Sequence, residues 1–160
     1  MNKTVLSLCL SLCLTSAIAL PTLVQAKPLT LTTTLKNYNG DGAYMAIYVI
    51  DEKGQYNQTL WVAGEKVKYY RHLRDWARGS GLKPSEFDGV SGASVASGRV
   101  LKVTVDIADA LIDAGYEIRV DTAVEDAREN PAEVRTPLTT KGAGKPTAGR
   151  GYVQSFIYDM

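Results

Sequence analysis

Over residues 28–36, Leu29, Leu31, Thr33 and Leu35 alternate with Thr30, Thr32 and Thr34, the two-residue period of a strand with one face buried. An Asn-, Asp- and Gly-rich stretch then marks a turn, and residues 43–50 form an almost wholly apolar, Tyr-rich run that reads as a central strand. Asp51, Glu52, Lys53 and Gly54 carry hairpin-turn chemistry, so residues 56–62 are expected to return antiparallel to that strand. The period then lengthens. Tyr69, Tyr70, Leu73, Trp76 and Ala77 recur at three- and four-residue spacing, which predicts one amphipathic helix over about 66–78, closed by Gly79, Ser80 and Gly81. Strict alternation reappears in Leu101, Val103, Val105 and Ile107, and again in Tyr116, Ile118, Val120, Thr122 and Val124. Residues 83–98 and 130–151, rich in Pro and Gly, read as loops, and residues 152–158 as a last strand. One helix among about six strands implies a mainly β protein, an antiparallel immunoglobulin-like β-sandwich.

The opening residues follow another logic. Lys3, the apolar run 5–14 and the ending Leu23, Val24, Gln25 and Ala26 match the parts of a secretory signal, with Val24 and Ala26 at the positions a signal peptidase reads. Ser7, Ser11, Thr15, Ser16 and Pro21 break up the run, which argues against a permanent membrane span. Cleavage after Ala26 and export to the periplasm are the expectation. A single domain, residues 27–160, then remains: 134 residues (160 less 26).

Composition narrows the chemistry. Both cysteines, Cys9 and Cys13, lie in the signal, so the exported domain has no disulfide, thiolate metal site or thioether haem. Loss of Lys3 leaves 17 basic residues of the original 18 against 17 acidic ones, a balance that points away from nucleic acid. His72 is the one histidine, which rules out a multi-histidine metal site; no Ser/His/Asp set can be assembled around it, and it reads as a surface residue of the basic helix. The Lys141 to Thr147 segment lacks the spacing of a phosphate loop, because Thr139 stands where its first glycine belongs.

One loop segment carries a more specific signal: Asp88, Gly89, Val90, Ser91, Gly92, Ala93 and Ser94. It resembles the acceptor motif of FAD:protein FMN transferases, Asp-x-x-Ser/Thr-Gly-Ala-Ser/Thr, whose last hydroxyl receives FMN through a phosphoester. The family ends more often in threonine; serine carries the same hydroxyl. The resemblance implies covalent FMN on Ser94, with Asp88, Ser91, Gly92 and Ala93 forming the recognition loop. Gly92 and Ala93 leave room for an enzyme to approach the backbone. The alternative is an ordinary connecting loop whose Asp and Ser side chains bond local backbone.

The pieces 43–51, Thr59-Leu60-Trp61, 68–76 and 88–98 together resemble a predicted periplasmic family of unknown function. The match extends over most of the exported domain, with a departure at 106–115. That resemblance implies PepSY-type or ferric-reductase-like inner-membrane partners and an electron carrier rather than a stand-alone enzyme. Trp61, Tyr69, Tyr70 and Trp76 are candidates for stacking on a flavin, and equally for core packing. The competing expectation is a cofactor-free binding module that docks a membrane or envelope protein through its basic helix or loops.

Overall fold

The computed structural model describes residues 25–160, so the expected signal segment lies outside the described residues except for Gln25 and Ala26. The architecture is mainly β, two sheets facing each other. β1 (Ala26–Leu35) is flanked by β5 (Val100–Ala108) and β8 (Val153–Asp159) in an antiparallel sheet of order β5-β1-β8. β2 (Tyr44–Ile50), β3 (Tyr56–Ala63), β4 (Ser91–Gly92), β6 (Glu117–Ala123) and β7 (Glu129–Pro137) form the second sheet, of order β4-β3-β2-β6-β7.

The alternation in β1 does what the pattern requires: Leu29, Leu31, Thr33 and Leu35 are buried, and the intervening threonines are half-exposed. β2 is apolar throughout because both of its faces are covered. Met45, Ile47 and Val49 face the first sheet in the main core, whereas Ala46, Tyr48 and Ile50 belong to a second core on the opposite side. That second core is closed by Tyr70, Leu73, Trp76 and Phe87 from the segment after β3.

This segment corrects one expectation. In place of a single helix over 66–78 there is a 3₁₀ helix, Val67–His72, and a separate α-helix, α1 (Arg74–Ser80), divided at Leu73 (φ −87°, ψ 74°). No side chain within the segment caps α1. Its first amides are satisfied from the sheet below, where Asp121 of β6 accepts the N–H groups of Asp75 (2.8 Å) and Trp76 (3.0 Å). The other Asp121 oxygen accepts the Tyr48 hydroxyl (2.9 Å) and the Ala132 N–H (2.7 Å). Burial nonetheless raises the Asp121 carboxyl above the ordinary range, with these hydrogen bonds opposing the shift.

A second correction concerns residues 130–151, expected to be loop. Most of β7 lies there. Pro131 conceals it in the sequence, but β7 is an edge strand with a register shift opposite Val120 and Thr122, where a proline and the positive φ of Ala132 (42°) are accommodated. The loop 83–98 also contributes β4, whose two residues pair parallel to β3, an exception to the antiparallel rule.

Candidate acceptor loop

The segment carrying the acceptor-like motif is fastened at several points. Gly81 ends α1 in the left-handed conformation (φ 62°), and Pro84 opens a short 3₁₀ turn, Pro84–Glu86. Phe87 then plugs into the second core, edge-on to Tyr70 (5.2 Å between ring centroids) and Trp76 (6.2 Å). After Gly89 turns the chain (φ 80°), β3 takes hold: Val62 N–H donates to the Val90 carbonyl (2.9 Å) and Gly64 N–H to that of Gly92 (2.7 Å). Val95 exchanges both backbone hydrogen bonds with Ala43 (2.7 and 3.0 Å). Ser97 closes the far end, its hydroxyl accepting from the Tyr38 amide and donating to the Tyr38 carbonyl, each at 2.7 Å.

Between these fastenings Asp88, Ser91, Ala93 and Ser94 are exposed and Gly92 is half-buried. The Ser94 hydroxyl lies beside Gly42: a Cβ there would stand 2.7 Å from Oγ. Gly92 sits over the Trp61 ring, and a Cβ on it would meet Cζ2 at 2.9 Å. Sequence patterning gives no hint of Gly42 or of the Trp61 contact, because both arise from strands that are distant in the chain.

An open cleft of about 320 Å³ adjoins the loop, lined by Asp88, Ser91, Gly92 and Ala93 together with Gly64, Glu65 and Val67 and floored by Tyr70 and Phe87. Val67 is one of the two large hydrophobic residues standing clear in solvent among the described residues, at 51% exposure. The Tyr70 hydroxyl donates to the Gly64 carbonyl (2.7 Å), and burial raises its pKa while neighbouring Ser91 opposes the shift.

The four aromatic candidates divide. Trp76 is fully buried, its Nε1 donating to the Thr59 hydroxyl (2.9 Å), and Tyr70 is buried beside it, so both are core residues in the folded chain. Trp61 is half-buried, packs on the main core and touches the loop at Gly92. Its Nε1 is buried without a hydrogen-bond partner among the described residues. Tyr69 stands apart in a second cleft, of about 310 Å³, with Tyr44, His72, Glu125 and Glu129. There His72 Nδ1 and Glu129 Oε1 are 2.6 Å apart, and Arg74 also binds Glu129. Those bonds, that of His72 first, hold the Glu129 carboxyl below its ordinary range. His72 is therefore tied into an ion-paired cluster. No group of three or more His, Cys, Asp or Glu is placed to hold a metal among the described residues.

Residues 26–155 match the family model described as "Predicted periplasmic protein (DUF2271)". The chain belongs to the DUF2271 family. No curated protein and no solved structure matches it. The family description is periplasmic and assigns no activity, so the DUF2271 match covers both sheets up to the start of β8, the acceptor-like loop and both clefts without saying what they do.

Proposed function

We propose that this DUF2271 protein is a periplasmic FMN carrier whose flavin is joined to Ser94 by an FAD:protein FMN transferase. The observation that supports this reading most directly is that Ser94 is an exposed residue, at the end of an acceptor-like motif, on a loop tied down at Val90, Gly92 and Val95. A modifying enzyme needs the hydroxyl free and the backbone in one conformation. In the transfer, Ser94 Oγ attacks the FMN-side phosphorus of FAD, a Ser–O–P ester forms and the pyrophosphate bond breaks. AMP leaves, and the hydroxyl proton passes to a base of the transferase.

A tether suits a small exported domain. Nanomolar retention of a free cofactor needs about 12 kcal/mol of binding free energy, whereas a covalent link holds the ring at an effective concentration that reaches about millimolar. The bound isoalloxazine supplies the redox chemistry. The chain's own part is positional: the Gly92–Trp61 contact fixes the loop, and Val67 offers apolar surface in the adjoining cleft. Electron exchange with a PepSY-type or ferric-reductase-like membrane protein rests on the family resemblance alone.

The test is the intact mass of the exported protein from cells that co-express the transferase, followed by peptide mapping. A gain of one FMN less one water on Ser94, abolished in Ser94→Ala, supports the reading. An unmodified mass beside a flavinylated control acceptor removes it.

A second reading, a cofactor-free docking module, draws on the exposed cations Lys66, Lys68, Arg71, Arg74 and Arg78 along the two helical segments. It expects colourless protein in the same experiment and loss of a membrane or envelope partner when Arg71 and Arg74 are reversed in charge. Undiminished binding by that variant would count against the helical face.

A further inference from the structure

Each sheet has two edges, and three of the four are protected. β4 is two residues long, and the part of β3 beyond its Val62 and Ala63 partners is irregular, with two register shifts against β2; β7 carries Pro131, Pro137 and a register shift; β8 is covered where Thr147 and Phe156 exchange both backbone hydrogen bonds at 2.8 Å. Short strands, prolines and covering loops are the usual ways of blunting an edge. β5 has no proline, bulge or covering loop, and its only edge device is the pair of exposed charges Lys102 and Asp106: it is nine residues long, regularly paired to β1 on one side and without a backbone partner on the other among the described residues.

The phase of its open side follows from the ladder. Leu35 N–H donates to the Arg99 carbonyl (2.9 Å), and the β1–β5 register runs without a shift from there. The odd-numbered residues of β5 therefore bond β1, and Val100, Lys102, Thr104, Asp106 and Ala108 turn their N–H and C=O groups outward. The side chains agree that something is missing beside this strand. On β1 and β8 the inward-facing Leu29, Leu31, Leu35, Val153, Phe156 and Tyr158 are buried, but on β5 only Ile107 is, while the equivalent Leu101, Val103 and Val105 are half-buried; on the outer face Val100 is 57% exposed.

We propose that β5 pairs antiparallel with β5 of a second copy of this chain, about a twofold axis at Thr104, joining two three-stranded sheets into one of six strands. The sequence of β5 is complementary to itself in that register. Thr104 faces Thr104 of the second copy, Lys102 faces Asp106 and Asp106 faces Lys102, while Val103 meets Val105 across the inner face. Sliding the pairing by one residue would put each inward side chain on the wrong face. Sliding the axis to residue 103 keeps the faces but sets Lys102 against Thr104 and Asp106 against Val100, losing both ion pairs.

The experiment uses the exported, unflavinylated protein, whose mass in solution is followed by sedimentation and native mass spectrometry over a dilution series. The wild-type chain is expected to be a dimer that dissociates on dilution. Lys102→Asp and Asp106→Lys each place like charges opposite one another twice per dimer and should weaken it about tenfold or more. Mixing these two variants should restore a heterodimer, since each supplies the charges that the other lacks, and the double variant carrying both changes should dimerise like the wild type. Both positions are exposed, and unchanged circular dichroism would establish folding. A monomeric wild type, single variants that dimerise as well as the wild type, or a mixture that stays monomeric would overturn the proposal.

Discussion

Asp121 and Trp76 are joined across two layers of the molecule: the buried carboxylate on β6 accepts the Trp76 amide at 3.0 Å, and the Asp75 amide at 2.8 Å, and so starts α1 from outside. All four acceptor contacts of Asp121 are to groups that donate, three of them backbone amides.

Asp121→Asn should therefore be costly although it is nearly isosteric, because its NH₂ must face at least one of those amides. A loss of about 2–4 kcal/mol is expected in urea unfolding, with α1 the first element to lose hydrogen-exchange protection. Glu133 provides the contrast. One of its oxygens accepts from the Gly151 (2.8 Å) and Val153 (2.6 Å) amides, but the other meets only the Thr122 hydroxyl, which can reverse its role. Glu133→Gln should cost about 1 kcal/mol or less. Equal costs for the two variants would contradict this account.

Two carboxyls give the stability profile opposite slopes with pH. Asp121 is raised above its ordinary 3.8 by burial, so its contribution is fully present below that value and is lost as pH rises through the raised one. Glu129 is lowered from 4.5, first by its His72 hydrogen bond and then by Arg74; its contribution is present above 4.5 and is lost as pH falls through the depressed value. Urea midpoints measured across the acid range should show the second limb flattened in Glu129→Gln, and the gap between wild type and Asp121→Asn widening toward low pH. Parallel profiles for all three proteins would be inconsistent with these shifts.

Thr33 faces the main core among leucines, and its hydroxyl is buried without a hydrogen-bond partner among the described residues. Thr33→Val keeps the shape and removes the stranded oxygen, so it should raise stability by about 1 kcal/mol. A lower melting temperature would mean that the hydroxyl has a partner in solution.

Gly42 offers a test of the acceptor loop that spares the loop's own residues. A methyl group there would come within 2.7 Å of the Ser94 Oγ, forcing that side chain to turn. If Ser94 is the attachment site, Gly42→Ala should slow flavinylation by the transferase while leaving the circular dichroism spectrum and melting temperature nearly unchanged. A wild-type rate would show that the Gly42 face of Ser94 does not matter to the reaction.

Most of the strands were legible because a sheet with one wet face writes its period into the chain, as in β1 and β5. β7 was not, since Pro131 and the bulge at Ala132 interrupt the alternation that would have announced it. The helical run at 66–78 had the correct apolar positions but not its continuity: the break at Leu73 depends on an acceptor, Asp121, that arrives from β6. At the candidate site, the motif residues were readable as a group, and their exposure followed from the loop's fastening to β3 and Ala43.

By itself, then, the sequence determined which side chains residues 27–160 hold for chemistry and the faces of most of their strands, because residue identity and short-range period are local properties. The tertiary structure alone decided that Tyr70 and Trp76 are core, that Trp61 and Gly42 border the acceptor loop, and that β5 is a long, regular edge without a backbone partner among the described residues. Each of these depends on which distant strands become neighbours, and pairing between segments far apart in the chain leaves no mark on the spacing within either one.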